Sequence, residues 1–234
     1  MTDPAPPADS PRAGPLLATE TWVFDLDNTL YPASCDLFSQ VDRRMKAFIA
    51  DYLSVPEDEA FRIQKQYFRD HGTTLRGLMT HHGMAPDPFL DYVHDIDLSA
   101  VAPNPALDRA LAALPGRKVI FTNASVAHAE RVMDRLGVTG RFDGLFDIHA
   151  ADFEPKPRPA VYDRMVAALG IEPTRAVMVE DIARNLEPAA ALGMVTVWVR
   201  TDSHWGLDGA DGDWVHHATD DLTAWLQGVL DGAP

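Results

Sequence analysis

The sequence of 234 residues contains only one cysteine, Cys35. An intrachain disulfide is therefore impossible, and this composition suits a reducing compartment. The chain also lacks any apolar run close to the roughly 20 residues that span a bilayer. Near the amino terminus, Asp3 and Asp9 stand where a secretory signal would carry positive charge. We therefore expect no membrane association, a disordered tail over residues 1–18 and a cytoplasmic location.

Basic residues are also scarce, since 20 lysines and arginines face 35 aspartates and glutamates. The resulting net charge of −15 argues against binding to a nucleic-acid polymer or to an anionic membrane surface. It does not exclude a small anionic substrate, because a site can be locally cationic. The hydrophobic content of 46% is sufficient for a globular core, and the length suits one domain with a modest insertion.

The most informative stretch reads Phe24-Asp25-Leu26-Asp27-Asn28-Thr29-Leu30. It follows Thr21-Trp22-Val23, whose β-branched and aromatic residues predict a buried strand. Side chains alternate along an extended chain, so Asp25 and Asp27 point to the same side. Two such carboxylates at a strand end repel each other unless a cation lies between them or one holds a proton. The pair therefore predicts a nucleophilic carboxylate supported by Mg²⁺.

Two kinds of periodicity divide the chain. Residues 33–99 have apolar side chains at helical spacing and no strand pattern. The flanking segments, 19–32 and 100–234, alternate between strand and helix patterns, which is typical of a parallel sheet with right-handed crossovers. We therefore predict an α/β protein, with a doubly wound, Rossmann-like parallel sheet core and an inserted all-helical cap. After the first strand, further strands are predicted at residues 118–122, 145–149, 176–179 and 195–199, with an edge strand at 214–218.

Polar residues follow several of these strands, at the sheet edge where open α/β proteins bind ligands. A nearby lysine lies between alternating prolines, which limit the freedom of its backbone. Together they suit phosphoryl transfer through an aspartyl-phosphate, in which a carboxylate attacks, Mg²⁺ neutralises charge, and a hydroxyl and an ammonium hold the phosphoryl oxygens. The set comprises Asp25 and Asp27, Thr122 and Asn123, Lys156, and Glu180 and Asp181.

Four segments resemble the ordered motifs of the haloacid dehalogenase superfamily. They are Asp25-Leu26-Asp27-Asn28-Thr29-Leu30-Tyr31, Phe121-Thr122-Asn123-Ala124, Lys156-Pro157 and Glu180-Asp181. The resemblance covers residues 21–200, and the helical insert lies where that family's first type of cap belongs. The first two segments are most similar to the pyrimidine 5′-nucleotidase branch.

The resemblance implies a role for each matching residue. Asp25 would be the nucleophile. Asp27 would protonate the leaving oxygen and then activate water. The phosphoryl group would be bound by Thr122, Asn123 and Lys156.

The resemblance also implies Mg²⁺ as the cofactor. Its ligands would be Asp25, Asp181 and the main-chain carbonyl of Asp27. Many members carry Gly-Asp or Asp-Asp where this chain has Glu180-Asp181, so Glu180 would be either a ligand or a helper beside the metal.

The family resemblance predicts a phosphomonoester hydrolase acting on a pyrimidine nucleoside 5′-monophosphate. Another small phosphorylated metabolite, such as a sugar phosphate, phosphoglycolate or pyridoxal phosphate, is the alternative. Within the insert, the predicted helix at residues 73–82 mixes apolar and polar side chains, and we expect it to select the substrate through Arg76, Met79 and His81. The partner is thus a small metabolite, and the chain is expected to be a monomer or a homodimer.

Two other functions use similar residues. Hydrolytic dehalogenation occurs on the same fold, but a carbon–halogen bond needs neither a leaving-group acid nor a metal, so Asp27 disfavours it. A phospho-aspartate signalling domain also combines an aspartate, Mg²⁺, a threonine and a lysine on a doubly wound sheet. Such a domain has no large insert, so residues 34–98 disfavour it.

Overall fold

The computed structural model describes residues 16–201 and 206–232. Most of the predicted tail, residues 1–15, lies outside this range. Leu16–Ala18 form a short 3₁₀ helix, and the side chain of Leu16 is buried in the core, so ordered structure begins before residue 19. Among the described residues, none of the helices is long and apolar enough to cross a membrane.

Six parallel strands form one sheet in the order β3-β2-β1-β4-β5-β6. This confirms the predicted parallel α/β core. The edge strand begins three residues later than predicted, because Thr196 donates from its backbone N–H to the ring of His216 and from its hydroxyl to the carbonyl of Trp214, in place of regular strand pairing. The strands are β1 (Thr21–Phe24), β2 (Arg117–Phe121), β3 (Gly144–Phe146), β4 (Ala176–Glu180), β5 (Val195–Val199) and β6 (His217–Thr219).

Helices cover both faces of the sheet, as the doubly wound arrangement requires. On β1, Trp22 and Phe24 pack with one set of helices, whereas Val23 between them packs with the other. A strand buried on both faces has no solvent-facing side, which explains the apolar run from Trp22 to Phe24. On the first face lie α5 (Pro105–Ala113), α6 (Val126–Leu136) and α9 (Leu222–Leu230), and on the second lie α7 (Pro159–Leu169) and α8 (Glu187–Ala191).

The segment between β1 and α5 is helical, with no strand within residues 33–99. Its second and third long helices pack very closely, because a Cβ on Gly77 would lie 2.3 Å from the Cβ of Tyr67. We call this four-helix segment the cap, and its boundaries at 33 and 99 remain a prediction. Its helices are α1 (Leu37–Leu53), α2 (Glu57–His71), α3 (Thr74–His82) and α4 (Pro86–His94).

The chain that returns from the cap to the core is held by two arginines of α6. Arg131 donates to the carbonyls of His94 and Ile96, and Arg135 donates to those of Leu98, Ser99 and Val101. These hydrogen bonds satisfy backbone acceptors that have no helix or sheet partner. They therefore fix where α4 meets the core.

A second contact between cap and core runs through a titratable residue, His149. The ring of His149 hydrogen-bonds Asp147 of the core through Nδ1 and Asp87 of the cap through Nε2, both at 2.9 Å. Partial burial opposes protonation, but the hydrogen bonds and charges of Asp87 and Asp147 outweigh it and raise the pKa of His149. The imidazolium thus favours attachment of the cap.

We expect replacement of His149 by glutamine to lower thermal stability at acidic pH and to matter less in alkali. A raised folded-state pKa contributes stability that is complete below the unfolded value of about 6.5 and is lost as pH rises through the folded value. Because the pair is half-exposed, the expected loss in melting temperature is only about 2–4 °C at pH 5.5. Thermal unfolding at pH 5.5 and 8.5 measures it, and Asp87→Asn should show the same pH trend. An equal loss at both pH values would contradict the ionic bridge.

Candidate active site

The register of the sheet brings the acidic residues together. Phe24 of β1 lies opposite Val179 of β4, so the next residues, Asp25 and Glu180, emerge side by side. Strand order reverses between these two strands, and the crevice at such a switch point is where doubly wound sheets bind ligands. The sequence-based expectation that these strand ends meet agrees with this geometry.

Lys156 lies at the centre of the site and is almost fully buried, with 3% of its surface exposed. Its Nζ donates to Asp25 Oδ1 at 2.7 Å, to Glu180 Oε2 at 2.7 Å and to the carbonyl of Phe121 at 2.9 Å. All three donor hydrogens of the ammonium are therefore used. The lysine loop is held in turn by Asn123, whose Oδ1 accepts from the backbone N–H of Lys156 at 2.9 Å.

For both Asp25 and Lys156, burial and the charge of the other residue shift the pKa in opposite directions. Burial raises the pKa of Asp25, as does the neighbouring Glu180, while Lys156 lowers it, and the net pKa is about 7. Burial lowers the pKa of Lys156, but Asp25 and Glu180 outweigh it and the net shift is upward. Lys156 therefore stays charged, and any further cation beside Asp25 would favour its ionised, nucleophilic form.

Asp181 lacks the partners that its buried carboxylate needs. Only 5% of the residue is exposed, and within the described chain no hydrogen bond reaches its side chain, although the indole of Trp198 donates to its backbone carbonyl. Burial, Glu180 and Asp25 all raise its pKa well above the usual value. When all three buried carboxylates are ionised, the one ammonium leaves a net charge of −2, which a divalent cation would balance.

The donor set fits Mg²⁺. Asp25, Glu180 and Asp181 each bring one carboxylate oxygen within 4.8 Å of the others, and oxygen ligands are what this ion prefers. Glu180 is the most engaged of the three, since Lys156 binds Oε2 and Asn185 donates to Oε1 at 2.9 Å. The arrangement favours Asp25 and Asp181 as ligands, with Glu180 holding Lys156 and Asn185 beside them.

Asp27 has partners that the sequence did not reveal. Its Oδ1 accepts from Tyr31 at 2.7 Å and faces His128 Nε2 at 2.8 Å. Burial would raise the pKa of Asp27, but the charge and hydrogen bond of His128, helped by Tyr31, lower it to about 2. Asp27 is thus ionised in this structure, whereas the sequence-based mechanism needs it protonated at the first step. Among the described residues Oδ2 has no partner, which leaves it available to substrate or water.

The turn after β2 shows how two other predicted residues are used. Thr122 is buried, and its Oγ1 accepts the backbone N–H of Ala124 at 3.0 Å. Ser125 then caps α6 through the N–H of His128. The free hydroxyl hydrogen of Thr122 can still serve as a donor. The turn thereby positions Asn123 against the lysine loop and His128 against Asp27.

A cavity of about 690 Å³ opens above these residues, between the core and the cap. Cap residues of all four helices line it, including Thr73 and Leu75 at the start of α3. Arg76, Met79 and His81 do not. Arg76 instead pairs with Glu154 at 2.6 Å, Met79 packs against the buried hydrophobic cluster, and His81 hydrogen-bonds His71 at 2.8 Å on the surface. Their positions therefore do not support the expected contact with substrate.

The fold and the site together define an α/β protein in which a buried lysine binds a cluster of carboxylates. The cluster lies where the strand order reverses, between β1 and β4. The model of the haloacid dehalogenase-like hydrolase family matches residues 19–193, and the chain belongs to this family. The superfamily resemblance seen in the sequence is thereby confirmed.

Individual relatives are more distant. The chain is 27% identical over 195 residues to "Phosphate metabolism protein 8" of Saccharomyces cerevisiae, covering 76% of this chain but only 60% of that protein. It is 27% identical over 208 residues to "Glyceraldehyde 3-phosphate phosphatase" of Methanopyrus kandleri, covering 82% of this chain and 88% of that protein. The crystal structure of an HAD phosphatase from Thermococcus onnurineus superposes with a TM-score of 0.60 at 16% identity, covering 92% of this chain and 99% of that one. This last likeness concerns the fold alone.

Proposed function

We propose that the protein is a Mg²⁺-dependent phosphomonoester hydrolase that acts through an aspartyl-phosphate on Asp25. The observation that carries the proposal is the buried Lys156 bound to both Asp25 and Glu180, beside the unpartnered carboxylate of Asp181. A buried anionic nucleophile next to a fixed ammonium is suited to a substrate that brings more negative charge. The phosphatases among the relatives support the same class of reaction.

In the proposed reaction a carboxylate oxygen of Asp25 attacks phosphorus, and the bond from phosphorus to the leaving oxygen breaks. The positive charge of Lys156, bonded to Asp25, stabilises the negative charge that spreads over the phosphoryl oxygens. Asp27 takes up a proton from solvent as the substrate binds, gives that proton to the leaving oxygen, and then takes one from the water that hydrolyses the acyl phosphate. Its pKa is about 2 before substrate binds, and the dianionic phosphoryl group raises that pKa by adding negative charge nearby.

The residues that would hold Mg²⁺ are Asp25, Asp181 and the backbone carbonyl of Asp27. When bound, the ion neutralises charge between the nucleophile and the phosphoryl group. Glu180 keeps Lys156 in place through its hydrogen bond to Nζ. Thr122 and the turn that follows it would complete the phosphate site.

For the substrate we propose a pyrimidine nucleoside 5′-monophosphate, with a sugar phosphate, phosphoglycolate or pyridoxal phosphate as the alternative. The support for a nucleotide is the motif resemblance together with a cavity of about 690 Å³, far larger than a phosphate needs. We further propose a cytoplasmic enzyme, either monomeric or homodimeric, on the basis of its composition.

A phosphate-release screen with Mg²⁺ tests the function. It would include pyrimidine and purine nucleotides, sugar phosphates, phosphoglycolate, pyridoxal phosphate and p-nitrophenyl phosphate, with 2-chloropropionate scored for halide release. We expect phosphate release to be fastest from a pyrimidine nucleotide. Halide release without phosphate release would replace the proposal by dehalogenation, and a faster sugar phosphate would change the substrate but not the reaction.

Removal of metal should reduce phosphate release at least about 100-fold, and Mg²⁺ should restore it. Bound Mg²⁺ should also stabilise the folded protein, because a cation relieves the repulsion among the buried carboxylates. We therefore expect Mg²⁺ to raise the melting temperature of the EDTA-treated protein. Asp181→Asn should abolish this shift while leaving the metal-free protein no less stable, and Asp134→Asn, an exposed change on α6, serves as the control. A full Mg²⁺ shift in Asp181→Asn would contradict the assigned metal ligand.

A further inference from the structure

Three buried side-chain atoms in the described part of the chain have no hydrogen-bond partner: Gln64 Oε1, His128 Nδ1 and Arg184 Nε. All three residues line the cavity above Asp25. A buried polar atom left unpaired is destabilising, so native proteins contain few of them. Their concentration at one cavity, on elements of both cap and core, indicates that a ligand supplies the missing partners.

The identity of the free atom on Gln64 follows from its neighbours. The side chain lies on α2, is 2% exposed, and donates from Nε2 to Asp42 Oδ1 at 2.8 Å. A carboxylate only accepts, and Asp42 also binds Lys65, so the amide nitrogen must face it. The amide oxygen is therefore the free end, and it can only accept a hydrogen bond.

Arg184 reaches the same part of the cavity from the core loop that follows β4. Its Nη1 is held by Asp208 at 3.0 Å, and its guanidinium carbon lies 5.5 Å from the ring centre of Phe68. Phe68 lies four residues after Gln64, on the same face of α2. The contact between Arg184 and Phe68 therefore places the donor Arg184 Nε beside the face of α2 on which Gln64 Oε1 is the acceptor.

We propose that Gln64 and Arg184 bind the leaving group of the substrate through an edge that offers one donor and one acceptor. This inference rests on the proposed phosphatase function and adds the residues that select the substrate. Both a nucleobase and the hydroxyls of a sugar offer such groups. Phe38, Phe68 and Phe89 line the same cavity, and their apolar surface suits the flat ring of a base better than a polyol.

The test compares ratios of kcat/KM, taking uridine 5′-monophosphate, cytidine 5′-monophosphate and ribose 5-phosphate each against phenyl phosphate. In Gln64→Leu and Arg184→Lys we expect the ratio for a nucleotide to fall about tenfold, mostly through KM. Gln66→Leu, an exposed change on α2, and Arg109→Lys, an exposed change on α5, are the matched controls and should keep the ratio.

Each other outcome decides against a part of the inference. If the kcat/KM ratio for ribose 5-phosphate falls as much as the ratio for the nucleotides, the subsite binds hydroxyl groups, and the proposal that it binds a base is overturned. Unchanged ratios would overturn the subsite whatever the melting temperature does, because Gln64→Leu also removes the bond to Asp42.

Binding separates this inference from the proposed function. Calorimetry of uridine 5′-monophosphate with Asp25→Asn, alone and combined with Gln64→Leu, needs no turnover. Binding about tenfold weaker in the double variant supports the subsite. This holds even if the wild type hydrolyses no phosphate ester, because absence of hydrolysis would contradict only the proposed function. Equal binding by both variants would overturn the subsite.

Discussion

Replacement of Asp25 by asparagine is expected to reduce kcat for p-nitrophenyl phosphate by roughly 10⁵-fold, since no other group in the cluster can replace the nucleophile. Lys156 and Thr29 both bond the Asp25 carboxylate, at 2.7 and 2.8 Å. Glu180, a neighbouring carboxylate, belongs to a different strand, β4, and so cannot occupy the position of Asp25. The loss therefore should not be compensated by a neighbouring residue.

The same substitution should leave the fold intact. Asparagine has nearly the shape of aspartate, and it removes one negative charge from a cluster in which Glu180 and burial already raise the pKa of Asp25 to about 7. We expect the metal-free melting temperature to be unchanged or higher. Phosphate release and thermal unfolding are measured beside Asp51→Asn, an exposed change on α1. Turnover above about 1% of wild type in a folded protein would reject Asp25 as the nucleophile.

Whether a site residue could be predicted from the sequence depends on which structural element holds it in place. Asp25, Glu180 and Asp181 follow directly from the order of buried strands, because neighbouring parallel strands end at one edge. A strand pattern in the sequence therefore also locates the residues that follow it. The core architecture was predictable for the same reason, since a strand that is apolar on both faces, such as β1, must lie in a sheet covered by helices on both sides.

The side chains that line the cavity could not be predicted in this way. A residue on a cap helix contacts the core only if its face of the helix turns inward, and that depends on how four helices pack. The α3 residues Arg76 and His81 had suitable chemistry but bond Glu154 and His71 instead. Gln64, in contrast, is an unremarkable glutamine on α2 until its burial and its bond to Asp42 are seen.

His128 was missed for a different reason. It lies three residues after Ser125, which caps α6, and a histidine there has no motif of its own. The helix turns its side chain towards Asp27, 101 positions away in sequence, at 2.8 Å. Helical spacing from the capping residue was the available signal, since it places the residue on the first turn beside the strand end.

Replacement of Lys156 by methionine is expected to have the second largest effect, and on both activity and stability. Methionine keeps most of the volume but removes the only cation bonded to Asp25 and Glu180 among the described residues. Removing one partner of a buried charged cluster costs about 3–5 kcal/mol. For a chain of this size we expect the metal-free melting temperature to fall by roughly 10 °C.

Activity should fall about 10³- to 10⁴-fold even with saturating Mg²⁺, because the charge of Lys156 also stabilises the negative charge on the phosphoryl oxygens. Lys118→Met is the control, since that lysine lies on β2 and, within the described part of the chain, its Nζ bonds only the carbonyl of Leu114. The double variant Lys156→Met with Asp25→Asn distinguishes charge from packing. Removing the carboxylate should recover part of the lost stability if unneutralised charge is the cause. Stability losses that simply add would show instead that Lys156 acts through the packing of its aliphatic chain.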